Sequence, residues 1–327
     1  MAIPRMRRGK KVVPEVVVRE EGKLNTESVS GEGLTWINIE SPGKEETDYL
    51  AQNYSFHPLD LDDCLSRIQR PKIDRYDEYL FLVFHFPVFS PEARVTTPSQ
   101  VSVFIGGGYL ITLHKGDLKP LVNLFNQCQS EAEIRKEHFS QGSGYLLYRI
   151  IDRLVDYCFP ILNKIGGNIE AVEDAMFAVK ARGTVRDIST LRRDVISFRR
   201  IIWPMRAVVG SLEPKIRRFT DIDLPVYFGD MVDHLDKLWD GLDEYKEVIE
   251  GLNDTYDSLA SHRTNEVVRI LTIIATVMLP VTVVASIYGM NISLPFMHSE
   301  YALLYVFLIM LAVICGILYF LRRIRVI

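Results

Sequence analysis

Charge is what this sequence runs short of, and only at one end. From position 270 to position 327 the charged residues are Glu300, Arg322, Arg323 and Arg325. So long an uncharged stretch has no place on a water-exposed surface, which confines any soluble domain to the residues before it. Paired cysteines are also missing. Cys64, Cys128, Cys158 and Cys315 stand far apart, with no Cys-x-x-Cys and one of them inside an apolar run. That pattern excludes a disulfide framework or zinc ribbon and predicts four reduced packing thiols. There is no basic excess: the net charge is -4, with the acids gathered in the first part of the chain, so nucleic acid is not an expected partner.

Nucleophile motifs, metal triads and a Walker pattern are absent, which argues against an enzyme. Gly106, Gly107 and Gly108 have no helix opening on them and no Lys-Ser/Thr after them, so they predict a hairpin turn. His57, Asp62 and Asp63 read as a helix start whose carboxylates suit the helix dipole. No covalent cofactor is implied. Arg5, Arg7, Arg8, Lys10 and Lys11 are followed by no apolar segment of the kind a signal peptide requires, and 1–11 is expected to be a basic disordered tail.

What is there instead is a pair of apolar runs, nineteen residues at 270–288 and twenty-one at 301–321. About twenty apolar residues in a helix cross the hydrocarbon of a bilayer. Arg263 and Arg269 precede the first run and Arg322, Arg323 and Arg325 follow the second, while the loop 289–300 has no Lys or Arg. The positive-inside rule then puts both termini in the cytosol, the tail 322–327 included, and the loop outside. A multi-pass protein of the cell membrane is expected. Pro280 removes one backbone hydrogen bond within the first span and is expected to bend it.

Before the spans, 12–117 shows short β-type runs at 16–18, 35–39, 79–86, 101–105 and 109–114, interrupted by helical patterns at 45–53 and 57–65. This predicts an α+β domain on a mixed sheet. The segment 118–223 reads as helix with few breakers. The stretch 224–288 reads as one long stalk helix continuing into the first span, on the order of 90 Å at ~1.5 Å per residue.

Two stripes run along that helix. Met231, Leu235, Leu238, Leu242, Tyr245, Ile249, Leu252, Tyr256 and Leu259 alternate spacings of four and three, a heptad seam that packs either on adjacent helices or on copies of itself around a common axis. On another face, Asp240, Glu244, Glu247, Gly251, Asp254, Ser258, Ser261 and Asn265 repeat at the same period and are all small, polar or acidic. The stripe continues through Val268, Thr272, Ala275, Leu279, Thr282 and Ser286. A solvated helix face explains the soluble half. Hydroxyls bonded back to the backbone explain the membrane half, but their alignment with the acids suits the wall of a water-filled cation path, a funnel whose lining concentrates cations. The seam alone would also suit a membrane-anchored scaffold or sensor, which leaves the stripe unexplained.

Tyr288, Gly289, Met290 and Asn291 end the first span, and here the chain resembles the CorA family of magnesium and divalent-cation channels, whose signature is Gly-Met-Asn at this place. The run from Thr264 through Asn265, Glu266 and Arg269 to Thr276 is similar to that family's first span. Phe56-His57-Pro58-Leu59, Gln69-Arg70-Pro71-Lys72, Trp203-Pro204 and Pro225-Val226-Tyr227-Phe228 also resemble its patterns. The resemblance implies a funnel-shaped homopentamer with Gly289, Met290 and Asn291 as the selectivity filter. It places Asn265, Val268, Leu271, Ala275, Leu279, Thr282 and Ser286 on the pore, with Leu271 and Leu279 as apolar constrictions. It also implies that cytosolic Mg2+ bound between subunits closes the channel, its stalk ligand falling on Asp230 beside Asp233 and His234. The opposing position falls at Ser90, Pro91 and Glu92, with Ser where the family has a carboxylate. The loop departs as well, since Glu300 is its single acid and His298 is a softer ligand that suits Zn2+, Ni2+ or Co2+ better than Mg2+. A proton-driven zinc transporter of the ZntB type shares the topology and signature and stands as the alternative.

Overall fold

The computed structural model describes residues 24–66, 69–92, 94–177, 184–220, 222–290 and 301–323. The basic tail 1–11, the expected strand at 16–18, Asn291 with the loop after it, and Arg325 lie outside the described residues. The chain divides into two units, Met1–Ile249 and Glu250–Ile327.

The first unit is built on a six-stranded mixed sheet of order β1-β2-β6-β5-β4-β3. Its strands are β1 (Thr26–Gly31), β2 (Leu34–Glu40), β3 (Lys72–Arg75), β4 (Leu80–Ser90), β5 (Val95–Ile105) and β6 (Tyr109–His114). The β2–β6 pair is parallel and the rest are antiparallel. Sequence periodicity located β2, β4, β5 and β6. It missed β1 and β3, the two edges, whose TESVSG and KIDR carry one large apolar residue each. Short, polar strands are what an exposed sheet edge requires. The glycine run closes the β5–β6 hairpin, with Gly106 N donating to the Tyr109 carbonyl at 3.0 Å.

Helices cover both faces of the sheet. On one face, α1 (Lys44–Asn53) and α2 (Pro58–Leu65) bury Leu50, Leu61 and Cys64 against Ile37, Phe81, Val83, Phe104 and Ile111. The start of α2 is the predicted one: His57 is its N-cap, its Nδ1 accepting from Leu59 N at 3.2 Å, with Pro58 first in the helix. Alternation along β4 sends Leu80, Leu82 and Phe84 to the other face, which is why the strand reads as apolar at every position from Leu80 to Phe84. That second face meets helices that follow β6: α3 (Lys119–Ser130), α4 (Ala132–Phe139), α5 (Ser143–Asp156), α6 (Cys158–Phe177) and α7 (Thr184–Gly210), with a short α8 (Glu213–Ile216) after them. Trp36 of β2 meets Phe125 of α3 edge-on at 5.1 Å. Two side chains of α7 pin the backbone of β5, Asp194 accepting from Thr96 N at 2.5 Å and Ser197 donating to Thr96 O at 2.6 Å.

The last two helices are α9 (Pro225–Tyr288), 64 residues without interruption through Pro280, and α10 (Ala302–Arg323). In the first unit the α9 seam is packed inside its own chain: Met231, Leu235, Leu238, Leu242 and Ile249 are at most 2% exposed. Gly241 faces Leu162 of α6, and Gly166 of α6 leaves just enough room for the Tyr245 hydroxyl. Of the two ways to satisfy the seam, adjacent helices of one chain win here. Burying five such side chains is worth on the order of 10 kcal/mol gross at about 2 kcal/mol each.

The second unit is different. Within the most apolar 18-residue window of α9, and likewise of α10, none of the residues is buried by the chain itself. A core helix of a soluble protein would be mostly covered, so these two are covered by something other than their own chain, as membrane spans are. Three of the four cysteines pack as expected, while Cys315 on α10 is exposed.

Candidate ion pathway

The acidic stripe lies nearly opposite the buried seam. From Asp240 to Ser261 each stripe residue follows a seam residue by two, which is about 200° around a helix. In the first unit, Asp240, Glu244 and Glu247 are accordingly exposed while Leu238, Leu242 and Ile249 are not. In the second unit, Gly251, Asp254, Ser258, Ser261 and Asn265 are exposed too. From 261 to 272 every residue of the single chain is exposed, so contacts beyond this chain decide which face of that stretch is covered.

Along the apolar part, Val268, Leu271 and Leu279 are each more than half exposed, at 54%, 65% and 67%. Thr272, Ala275, Thr282 and Ser286 are exposed beside them. The threonine hydroxyls bond back to the helix: Thr272 Oγ1 donates to Val268 O and Thr282 Oγ1 to Met278 O, both at 2.8 Å. This satisfies their hydrogens inside the span and leaves each oxygen as an acceptor. The helix ends at Gly289 and Met290, whose N–H groups reach Ala285 O at 3.0 Å and Ile287 O at 3.1 Å. An added Cβ on Gly289 would sit 3.2 Å from Ala285 O, so a side chain there would crowd the helix end.

At the other end of α9, Asp230 and His234 come together, Asp230 Oδ2 lying 3.8 Å from His234 Nε2. They are joined by residues that sequence reasoning missed. Asp156 Oδ1 of α5 lies 3.7 Å from His234 Nδ1, and Asp152 is one helical turn before it. Burial raises the Asp152 carboxyl above its ordinary value, with Asp156 adding to the rise. The four-residue spacing of Asp152 and Asp156 marks one helix face and was legible, but nothing local ties that face to Asp230. Asp233 is exposed on α9, and Glu92 is exposed in the β4–β5 turn. Among the described residues, the one group of three potential ligands that converges is Asp60, Asp63 and Asp74, away from all of these. Lys72 already sits within it, 2.6 Å from Asp63 and 2.5 Å from Asp74.

Residues 31–323 match the family model described as CorA-like Mg2+ transporter protein. The chain is 32% identical over 285 residues to the putative metal ion transporter YfjQ of Bacillus subtilis, covering 86% of each chain. It is 32% identical over 265 residues to the cobalt/magnesium transport protein CorA of Thermotoga maritima, covering 79% of this chain and 73% of the relative. Among solved structures, the complete CorA magnesium transporter of Methanocaldococcus jannaschii matches with a TM-score of 0.79 at 26% identity, over 90% of this chain and 92% of that one.

Proposed function

Because this chain belongs to the CorA family of Mg2+ transporters, we propose that it is a homopentameric channel for divalent metal cations, Mg2+ foremost and also Co2+ and Ni2+. On this reading it sits in the plasma membrane with both termini cytosolic, and five copies of α9 surround the conduction path. The observation that carries the reading is the second stripe: acids outside the membrane segment, on the side of α9 that its own chain leaves uncovered in the first unit, continuing at the same period into acceptor oxygens within the segment.

The chemistry follows from the ion. Mg2+ holds its waters tightly, so a path that passes the hydrated ion meets water hydrogens pointing outward and needs acceptors on its wall. Thr272 and Thr282 supply them, since their own hydrogens are taken by the backbone. Ser286 lies on the same stripe. Asp240, Glu244, Glu247 and Asp254 concentrate cations in the funnel. A ring of Asn291 amide oxygens, with the backbone oxygens of Gly289 and the neighbouring Met290, receives the hydrated ion by outer-sphere hydrogen bonds weak enough to let it leave. Leu271 and Leu279 close the path by dewetting when their rings narrow.

Regulation is assigned to the lower stalk. A divalent ion shared between Asp230, with Asp233 and His234, of one subunit and the Glu92 turn of the next would hold like charges together, and its loss would let them repel and open the funnel. The test is flux into proteoliposomes of Mg2+, Co2+, Ni2+ and Zn2+ in turn, with and without a pH gradient, for the unaltered chain and Asn291→Ala. Mg2+ flux independent of the pH gradient and reduced at least tenfold in Asn291→Ala is expected. Zn2+ uptake that collapses with the proton gradient would instead assign the chain to ZntB-type transport.

A further inference from the structure

We infer that the cleft between α7, α9 and the segment leading into β3 binds a nucleoside polyphosphate, the base lying on Trp203 and the phosphates among Arg70, Arg200 and Lys246. The cleft measures about 830 Å3 and lies wholly within the first unit. That is within the range of small-molecule sites. Among the described residues its lining includes none of the acidic stripe or of the Asp230 cluster, and the inference does not depend on the channel reading.

Its walls combine two chemistries. One wall is aromatic: Trp203 and Trp239 meet at 4.8 Å between ring centroids with their planes 47° apart, and Trp203 remains 57% exposed. An indole so open on the exposed side of α7 offers a flat surface for stacking. Trp239 is held from behind, the Arg199 guanidinium lying 4.4 Å over its ring while Arg199 Nη1 reaches Asp243 at 2.6 Å. Arg199 is thus occupied and serves to set the aromatic wall.

The other wall is cationic. Arg70, Arg200 and Lys246 line the cleft beside Arg199, and among the described residues no carboxylate lines it, in a protein whose net charge is -4. Among the described residues no acid is ion-paired with Arg70 or Arg200. A neutral apolar ligand would strip water from Arg70 and Arg200 without compensation, and a bare phosphate would leave both indoles uncovered. A planar base carrying two or three phosphates satisfies both walls, with guanidinium groups suited to bidentate phosphate contacts.

The test uses the full-length protein in detergent with EDTA present, so that the phosphates carry no metal, and measures binding of radiolabelled ATP by equilibrium dialysis, with ADP, adenosine and tripolyphosphate as competitors. Saturable ATP binding is expected, with ADP competing well and adenosine and tripolyphosphate each at least about tenfold weaker. Trp203→Ala should weaken ATP about tenfold and leave tripolyphosphate unchanged, Trp203→Phe should restore ATP, and Arg200→Glu should weaken both. Trp203 and Arg200 are exposed, so these substitutions leave the core intact. Absence of saturable binding, as when a second copy covers the cleft, would overturn the assignment. So would tripolyphosphate binding as well as ATP, or Trp203→Ala binding ATP unchanged.

Discussion

Acidification should unfold the sheet through one buried imidazole. His114, at the end of β6, is 2% exposed and is the last member of a chain of polar contacts. Trp36 Nε1 donates to Thr112 Oγ1 at 3.0 Å, Thr112 Oγ1 donates to Asn38 Oδ1 at 2.7 Å, and His114 Nε2 lies 2.8 Å from the same Asn38 oxygen. Gly116 N donates to His114 Nδ1 at 2.9 Å, so Nδ1 must carry a lone pair and the proton sits on Nε2. A second proton has nowhere to go without breaking the Gly116 contact. Burial accordingly pushes the ring down from 6.5 to about 4, opposed weakly by Asp117.

The sign follows from linkage. Between pH 6.5 and 4 the unfolded chain binds a proton at this position and the folded chain does not, so stability is full above 6.5 and falls as the pH drops through that window. At ~1.36 kcal/mol per unit the whole loss is about 3 kcal/mol. The half-buried ring of His85 and the buried ring of His138 shift in the same direction, so the measurement is a difference. Unfolding free energy of the full chain in detergent is followed by Trp36 fluorescence in a Trp203→Phe, Trp239→Phe background, at pH values from 7 to 4, with and without His114→Gln. The His114→Gln protein should be less stable at neutral pH and should lose about one proton from its pH slope between 6.5 and 4. Equal slopes in the two proteins would refute the reasoning.

Two further outcomes test other parts of the molecule. Gly142 has φ +85°, and a Cβ there would come within 2.8 Å of Phe219 O, so Gly142→Ala should cost about 2–3 kcal/mol and lower the thermal midpoint of the first unit. At the proposed constriction, Leu271→Ser and Leu279→Ser should each raise cation leak several-fold in liposomes at high Mg2+. Leak equal to that of the unaltered chain would remove the gate from those positions.

How much of this was legible in advance depended on the range of the physics involved. The hairpin glycines, the His57–Pro58 helix start, the four inner strands and the uninterrupted course of α9 are local or periodic properties, and periodicity in hydrophobic spacing is written directly in the chain. The edge strands β1 and β3 were not legible, because an edge strand is stabilised by its neighbour's backbone and its own side chains are selected to be polar. The α9 seam was legible as a seam but not as to its partner. Only the fold shows that α6, through Gly166 and Leu162, accepts it in the same chain.

The sequence by itself determined the two apolar spans and the acidic-to-hydroxyl stripe that leads into the first, because both depend only on composition and on the turn of a helix. The tertiary structure decided what those helices are packed against. It brought Asp152 and Asp156 beside Asp230 and His234, and it set Trp239 and Arg70, distant in the chain, in one cleft with Trp203. Such groupings join residues from separate elements, and nothing in the local spacing of either partner encodes the distance between them.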